Sequence, residues 1–126
     1  MMKRVSILAF ALFFASGAKA FADNLADTEW RAVDVAVEQS LSFEKGRRFL
    51  GFTGCNRVFG SYRLAGEVIA MNTFGLTRKF CGEETGRHEA AFLDALKSVR
   101  YAIRDNGRLI FQDKSEKPLI LFSRSR

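Results

Sequence analysis

Hydrophobic and polar residues alternate in short segments along the first half of the chain. This period of two is typical of β-strands, whose successive side chains point to opposite faces of a sheet. Glycine-containing turns separate the segments, as expected for neighbouring antiparallel strands. The pattern predicts strands at residues 28–35, 41–43, 48–53, 59–64 and 67–71.

The period changes between residues 83 and 99, where apolar side chains recur at helical spacing. Phe92, Ala95, Leu96 and Val99 fall at i, i+3, i+4 and i+7, which places them on one face of a helix. Glutamates cluster towards the start of this segment, where the helix dipole favours negative charge. We therefore predict one helix over residues 83–99.

Strand patterns return after the helix, at residues 100–104, 108–112 and 118–123. Asn106-Gly107 supplies the positive backbone φ angles of a tight hairpin, and Pro118 begins the last strand. The order predicts an α+β fold: a single curved antiparallel sheet of about six to eight strands with one main helix packed on it. The expected core residues include Trp30, Phe49, Phe52, Phe59, Ile69, Phe92, Leu96, Ile110 and Leu121.

The first 22 residues have the composition of a secretory signal peptide. Lys3 and Arg4 precede an apolar run at residues 5–15, and two overlapping A-x-A sites follow at 18–22. The run is shorter than the roughly 20 residues of a membrane-spanning helix, so we expect cleavage after Ala22 and no transmembrane span afterwards. This leaves one domain, residues 23–126. No cysteine follows the apolar run, so a lipoprotein is not indicated.

The predicted leader also accounts for half of the net charge. The whole chain carries a formal charge of +6, and the leader contains Lys3, Arg4 and Lys19 but no acid, which leaves +3 for residues 23–126. A domain with so small an excess of basic residues lacks the charge signature of a nucleic-acid-binding protein. We therefore expect no nucleic-acid partner.

Cys55 and Cys81 are the only cysteines, and both lie in the predicted exported domain. An even number of cysteines in a small exported domain indicates a disulfide, although a pair of free buried thiols is the alternative. The cysteines lack paired C-x-x-C spacing and the chain has one histidine, so a zinc site is not predicted.

Two motifs carry a resemblance to a known family. They are GCNRVFGSY at residues 54–62 and LTRKFC at residues 76–81, and they are accompanied by TEW at 28–30 and EAAFL at 89–93. In order and spacing the chain resembles the META domain family, which includes the HslJ-like heat-shock proteins of the bacterial envelope. The resemblance covers about residues 27–123. Lys79-Phe80 departs from it, since methionine and a small residue are more usual before the second cysteine.

The resemblance implies a small mixed α/β domain in the envelope and an association with stress tolerance, antibiotic resistance, motility or secretion. It implies no catalytic mechanism. We therefore expect a periplasmic or secreted, non-enzymatic, monomeric module that binds an unknown envelope protein or ligand or supports stress tolerance. The alternative is an inhibitor or chaperone-like module that acts on an exported or host enzyme, such as a lysozyme or a protease.

The GCNR segment has a structural and a functional interpretation. Gly54 and Asn56 tolerate left-handed backbone conformations, so they favour a tight turn that presents Cys55 to Cys81. Such a disulfide would also bring the two motifs together. The predicted partner-binding patch on this basis is Asn56, Arg57, Tyr62, Thr77 and Arg78.

The sequence does not predict a catalytic site, a metal site or a cofactor. His88 is the only histidine, and its nearest helical partner, Glu84, forms an ordinary surface pair. The chain contains no serine-histidine-aspartate arrangement, no metal-ligand cluster and no phosphate-binding loop.

Overall fold

The computed structural model describes residues 25–126, so the predicted leader and its cleavage site lie outside the described residues. This part of the chain forms eight strands and one helix. In chain order they are β1 (Thr28–Ala32), β2 (Ser40–Glu44), β3 (Arg48–Phe52), β4 (Arg57–Ala65), β5 (Val68–Leu76), α1 (Glu83–Ser98), β6 (Tyr101–Asp105), β7 (Arg108–Gln112) and β8 (Pro118–Arg124).

The eight strands form a closed antiparallel barrel in which each strand pairs with its neighbours in sequence. The last strand returns to the first: β8 pairs with β1 through Trp30↔Arg124, Arg31↔Ser123 and Ala32↔Phe122. The junction of β5 with β6 is the shortest, with one pair, Val68↔Tyr101. The chain leaves the barrel between these two strands to form α1.

The prediction of a single open curved sheet is therefore wrong, although the strand and helix segments were placed close to where they occur. Alternation of apolar and polar residues indicates which face of a strand is buried. The alternation is the same in an open sheet and in a barrel. Closure depends on the pairing of β1 with β8, which are about 90 residues apart in the chain. It removes the two unpaired edges that an open sheet would expose.

Inward-facing glycines help the strands to curve. A Cβ atom at Gly60 would lie 1.9 Å from the Asn72 backbone oxygen, at a register irregularity between β4 and β5. A Cβ atom at Gly51 would lie 2.9 Å from the side chains of Leu41 and Val58. Both positions thus require the close backbone approach that glycine allows in tightly bent strands.

The core consists of alternate residues of the barrel strands together with one face of α1. The most deeply buried aromatic side chains are Trp30, Phe43, Phe49, Phe111 and Phe122. Phe92, Ala95 and Leu96 of α1 are buried as the helical spacing predicted. The helix packs at the end of the barrel that carries the β1–β2 and β3–β4 connections, and this end contains the GCNR segment and residue 79 of the second motif.

Candidate functional site

The GCNR segment forms the tight connection between β3 and β4. Gly54 has a φ angle of 105°, a value that favours glycine, and a Cβ atom there would lie 2.6 Å from a Val37 methyl carbon. The Thr53 amide donates to the Asn56 carbonyl oxygen (2.9 Å), and the Asn56 amide donates to the Thr53 hydroxyl (2.9 Å). The turn is therefore closed by its own polar groups, as its composition predicted.

Asn56 is the centre of a buried hydrogen-bond network. Its side-chain oxygen accepts from the Lys79 amide (2.6 Å) and the Thr77 hydroxyl (2.8 Å). Its side-chain nitrogen donates to the Lys79 carbonyl oxygen (3.0 Å) and to Glu89 Oε2 (2.9 Å). Asn56 thus binds the backbone of residue 79 at both its donor and its acceptor, so the unusual lysine side chain at this position does not enter the contact.

Glu89 links this network to the helix. The same oxygen, Oε2, accepts a hydrogen bond from the Thr53 hydroxyl (2.6 Å). Gln39 adds a second link, because its side-chain amide donates to the carbonyl oxygens of Thr53 (2.9 Å) and His88 (3.2 Å). The β3–β4 turn, the segment before the helix and the helix itself are therefore held together by polar contacts.

The predicted disulfide between Cys55 and Cys81 is confirmed. Its Cα atoms are 5.8 Å apart and its sulfur atoms 2.05 Å apart. Cys55 is buried, whereas Cys81 is exposed immediately before α1. The bond therefore joins the same two segments that Asn56 joins, so the connection is made once covalently and again by hydrogen bonds.

At this end of the barrel, the hydrogen-bonding capacity of the buried polar side chains is taken up by other groups of the fold. Within residues 25–126, every buried side-chain nitrogen and oxygen atom has a hydrogen-bond partner. Asn56 uses both of its polar atoms for the fold, and a group so occupied has no capacity left for a ligand. The network therefore holds the surrounding surface in position.

The structure brings part of the predicted patch together. Thr77 contacts both neighbours in the patch: its hydroxyl accepts from the Arg57 amide (3.0 Å), and it donates to Asn56. Arg57, Thr77 and Arg78 are exposed, but Asn56 and Tyr62 are buried. Because residues 57 and 62 of one strand are an odd number of positions apart, Arg57 and Tyr62 point to opposite faces.

Tyr62 lies inside the barrel, where its ring packs edge-on against Phe43 with centroids 4.9 Å apart. Burial removes water from the phenol and disfavours its ionised form, and the negative charge of Asp27 has the same effect. The pKa of Tyr62 is consequently raised above its ordinary value of 10.0. This residue belongs to the core and is not accessible to a partner.

A different surface, on the outside of β3, β4 and β5, exposes large apolar side chains. We call Leu50, Phe59 and Phe74 the outer apolar face; their exposed fractions are 47%, 45% and 69%. They line a shallow depression of about 290 Å³. A group of large apolar side chains that lie together and stay exposed is typical of an interaction site.

Phe59 gives this face its shape. It pairs with Leu50 on β3 and with Gly75 on β5, and a Cβ atom at Gly75 would lie 2.2 Å from the tip of the Phe59 ring. The missing side chain at Gly75 therefore allows the ring to lie across β5 next to Phe74. Two arginines accompany the face: Arg48 lines the same depression, and Arg57 lines an adjoining one with Leu50.

Sequence reasoning missed this face because it assigned Phe59 to the core. Phe59 lies between Val58 and Gly60, both buried, so strict alternation on β4 places its ring outside. The same rule, applied to Tyr62, separates it from Arg57. Phe52, Ile110 and Leu121, three other expected core residues, are only half-buried.

Two further features concern the described residues as a whole. No helix among residues 25–126 has the length and hydrophobicity needed to cross a bilayer. The same residues contain no group of three or more histidine, cysteine, aspartate or glutamate side chains arranged to hold a metal ion.

Comparisons with known proteins agree with the motif resemblance. The family model of the META domain matches residues 23–126. A solved protein from Burkholderia xenovorans, determined by NMR, is 26% identical and superimposes with a TM-score of 0.66, over 80% of this chain and 83% of that one. A DUF4847 family protein from Bacteroides vulgatus is 18% identical with a TM-score of 0.53, over 68% and 57% of the two chains, and shows the fold alone. No curated protein matches the sequence.

Proposed function

This chain belongs to the META domain family, and from that premise we propose that it is an exported, non-enzymatic module that binds another envelope protein through its outer apolar face. The observation that carries the proposal is the exposure of Leu50, Phe59 and Phe74 on three adjacent strands. Removal of apolar surface from water is the main favourable contribution to most protein–protein association.

Charge favours a partner with acidic residues around an apolar centre. Arg48 and Arg57 lie beside the face and are exposed. Glu44, opposite Arg48 on β2, is the acidic residue of the depression. Arginine is enriched in protein interfaces because its planar group binds carboxylates and packs against apolar surface.

Two features support export. The first 22 residues match a secretory signal, and a disulfide joins the only two cysteines of the chain. Disulfides persist in oxidising compartments such as the periplasm. The polar cluster around Asn56 is occupied by the fold, so it supports a structural role. A contribution to envelope stress tolerance would then act through the bound partner.

Affinity capture with matched variants tests this proposal. The wild-type protein and the variant Leu50→Ser/Phe74→Ser are immobilised and exposed to envelope extract from the producing cell, and each captured protein is then purified and titrated directly. We expect a partner whose affinity falls at least tenfold in the variant, because Leu50 and Phe74 are two of the three apolar side chains of the face. Binding should also weaken with added salt if the arginines contribute.

The matched control is Val35→Ser/Val68→Ser, which removes two exposed apolar side chains (42% and 48% exposed) outside the face. The control should bind the partner as the wild type does. Equal affinity of the wild type and the Leu50→Ser/Phe74→Ser variant for every captured protein would overturn the proposal, as would an empty capture.

A further inference from the structure

A groove of about 350 Å³ lies where α1 crosses the end of the barrel, away from the outer apolar face. The β1–β2 connection forms one side, α1 the second and β8 the third. The volume is at the lower end of the range for small-molecule sites, which extends from about 300 to 1,000 Å³. It has room for a compact molecule with about ten non-hydrogen atoms.

Gln39 provides a hydrogen-bond acceptor in this groove. The residue is only 5% exposed, and its side-chain nitrogen is held by the carbonyl oxygens of Thr53 and His88. These two contacts fix the orientation of the amide. Both printed contacts use the nitrogen, so they leave the oxygen, Oε1, unused, and Gln39 is one of the residues that line the groove.

The remaining groove residues supply apolar walls and one charge. Phe92 and Ala91 of α1 lie on one side, and Ile120 of β8 lies on another. Asp34, which is exposed, is the single acidic residue of the lining. A ligand of this groove must accordingly combine a hydrogen-bond donor, a positive charge and an apolar body.

We propose that this groove binds a small primary amine with a compact apolar or aromatic body. The ammonium group has three donors, which are directed to the Asp34 carboxylate and to Gln39 Oε1. The apolar body packs against Phe92 and Ile120. Carboxylates and anionic headgroups are disfavoured, because Asp34 would repel them and Oε1 cannot donate to them. The proposal does not depend on a partner at the outer apolar face.

An NMR titration with 2-phenylethylamine tests the site. We expect saturable shifts of the backbone amides that border the groove, around Val35, Ala91 and Leu121, with half-saturation at about 1 mM, as is common for a ligand of this size. The uncharged analogue 2-phenylethanol should bind at least fivefold more weakly, and 3-phenylpropanoate should give no saturable shifts.

Two variants test separately the contribution of the Asp34 charge and that of the space in the groove. Asp34→Asn keeps a residue that tolerates the positive φ angle of 57° at this position, and should reduce amine affinity to that of the alcohol without changing the affinity of the alcohol. Ala91→Leu should fill the groove and abolish binding of both. Asp94→Asn, an exposed position on α1 outside the groove lining, is the matched control and should bind as the wild type.

If the wild type bound the amine and the alcohol with equal affinity, the proposed contact between the ammonium group and the Asp34 carboxylate would be wrong. Shifts spread over the whole surface, or no saturation up to about 20 mM, would overturn the site itself. Amide spectra of each variant establish that the fold is unchanged, so a loss of binding is not attributed to unfolding.

Discussion

The end of the barrel around Asn56 and the outer apolar face differ in how far the fold occupies their side chains. Around Asn56, every polar group is paired with the β3–β4 turn, with the segment before α1 or with the helix. On the outer apolar face, Leu50, Phe59 and Phe74 remain in contact with water. The first region contains the most recognisable motif of the chain, and the second contains ordinary strand residues.

The difference shows that the side chains of a conspicuous motif can be used by the fold itself. Glycine, cysteine and asparagine are needed where the backbone turns sharply and is covalently joined to another segment, and these needs are met inside the fold. A binding surface requires side chains that the fold leaves unused. Substitutions in the first region should therefore change stability, and those in the second should change binding.

The largest expected effect is that of Asn56→Ala. It removes the partners of the Lys79 amide and carbonyl, the Thr77 hydroxyl and one contact of Glu89. At about 1 kcal/mol for each of the four hydrogen bonds lost, the free energy of unfolding should fall by about 4 kcal/mol in urea denaturation. Arg57→Ala, the exposed neighbour, should change it by less than about 0.5 kcal/mol. Similar losses for both variants would contradict the assigned role of the network.

Removal of the disulfide comes next. The Cys55→Ala/Cys81→Ala variant should lose about 3.5 kcal/mol, because a loop closed over 26 positions is no longer restricted in the unfolded chain. Asn56 still holds the same segments, so the variant should fold to the same structure. Urea denaturation gives the loss, and an amide spectrum checks the fold; a variant that does not fold would show that the hydrogen bonds cannot replace the covalent link.

A smaller, pH-dependent effect on stability is expected from Tyr62, which lies on the inward face of β4. Because the pKa of Tyr62 is raised in the folded state, its stabilising contribution is complete below pH 10 and is lost as the pH rises through the pKa of the folded form. The wild type should therefore lose stability above pH 10 relative to Tyr62→Phe, by at most about 1.4 kcal/mol for each pH unit. Parallel curves for the two proteins between pH 9 and pH 11 would show that Tyr62 is not protected from ionisation.

The smallest effect is expected on the outer apolar face. Phe74→Ser removes a side chain that is 69% exposed, so the free energy of unfolding should change by less than about 0.5 kcal/mol. The measurement is again urea denaturation, alongside the binding comparison proposed for this face. A loss above about 2 kcal/mol would mean that Phe74 packs as a core residue, and the contrast between the two regions would fail.

The sequence by itself determined the local elements and which two cysteines could pair. Period-2 alternation identified the strands, and the spacing of Phe92, Ala95 and Leu96 identified the buried face of the helix. These features depend on the geometry of a single segment, in which side chains two residues apart on a strand, or three and four apart on a helix, share a face. Cys55 and Cys81 were paired because no other cysteine competes.

Only the tertiary structure decided the closure of the barrel and the location of the exposed surfaces. Closure rests on Trp30↔Arg124 and its neighbouring pairs, which join distant parts of the chain and leave no mark on the local pattern. The position of the Phe59 ring across β5 rests on the missing side chain at Gly75, on another strand. Both depend on contacts between separate segments of the chain. The hydrophobic pattern of one segment does not predict which segment packs against it.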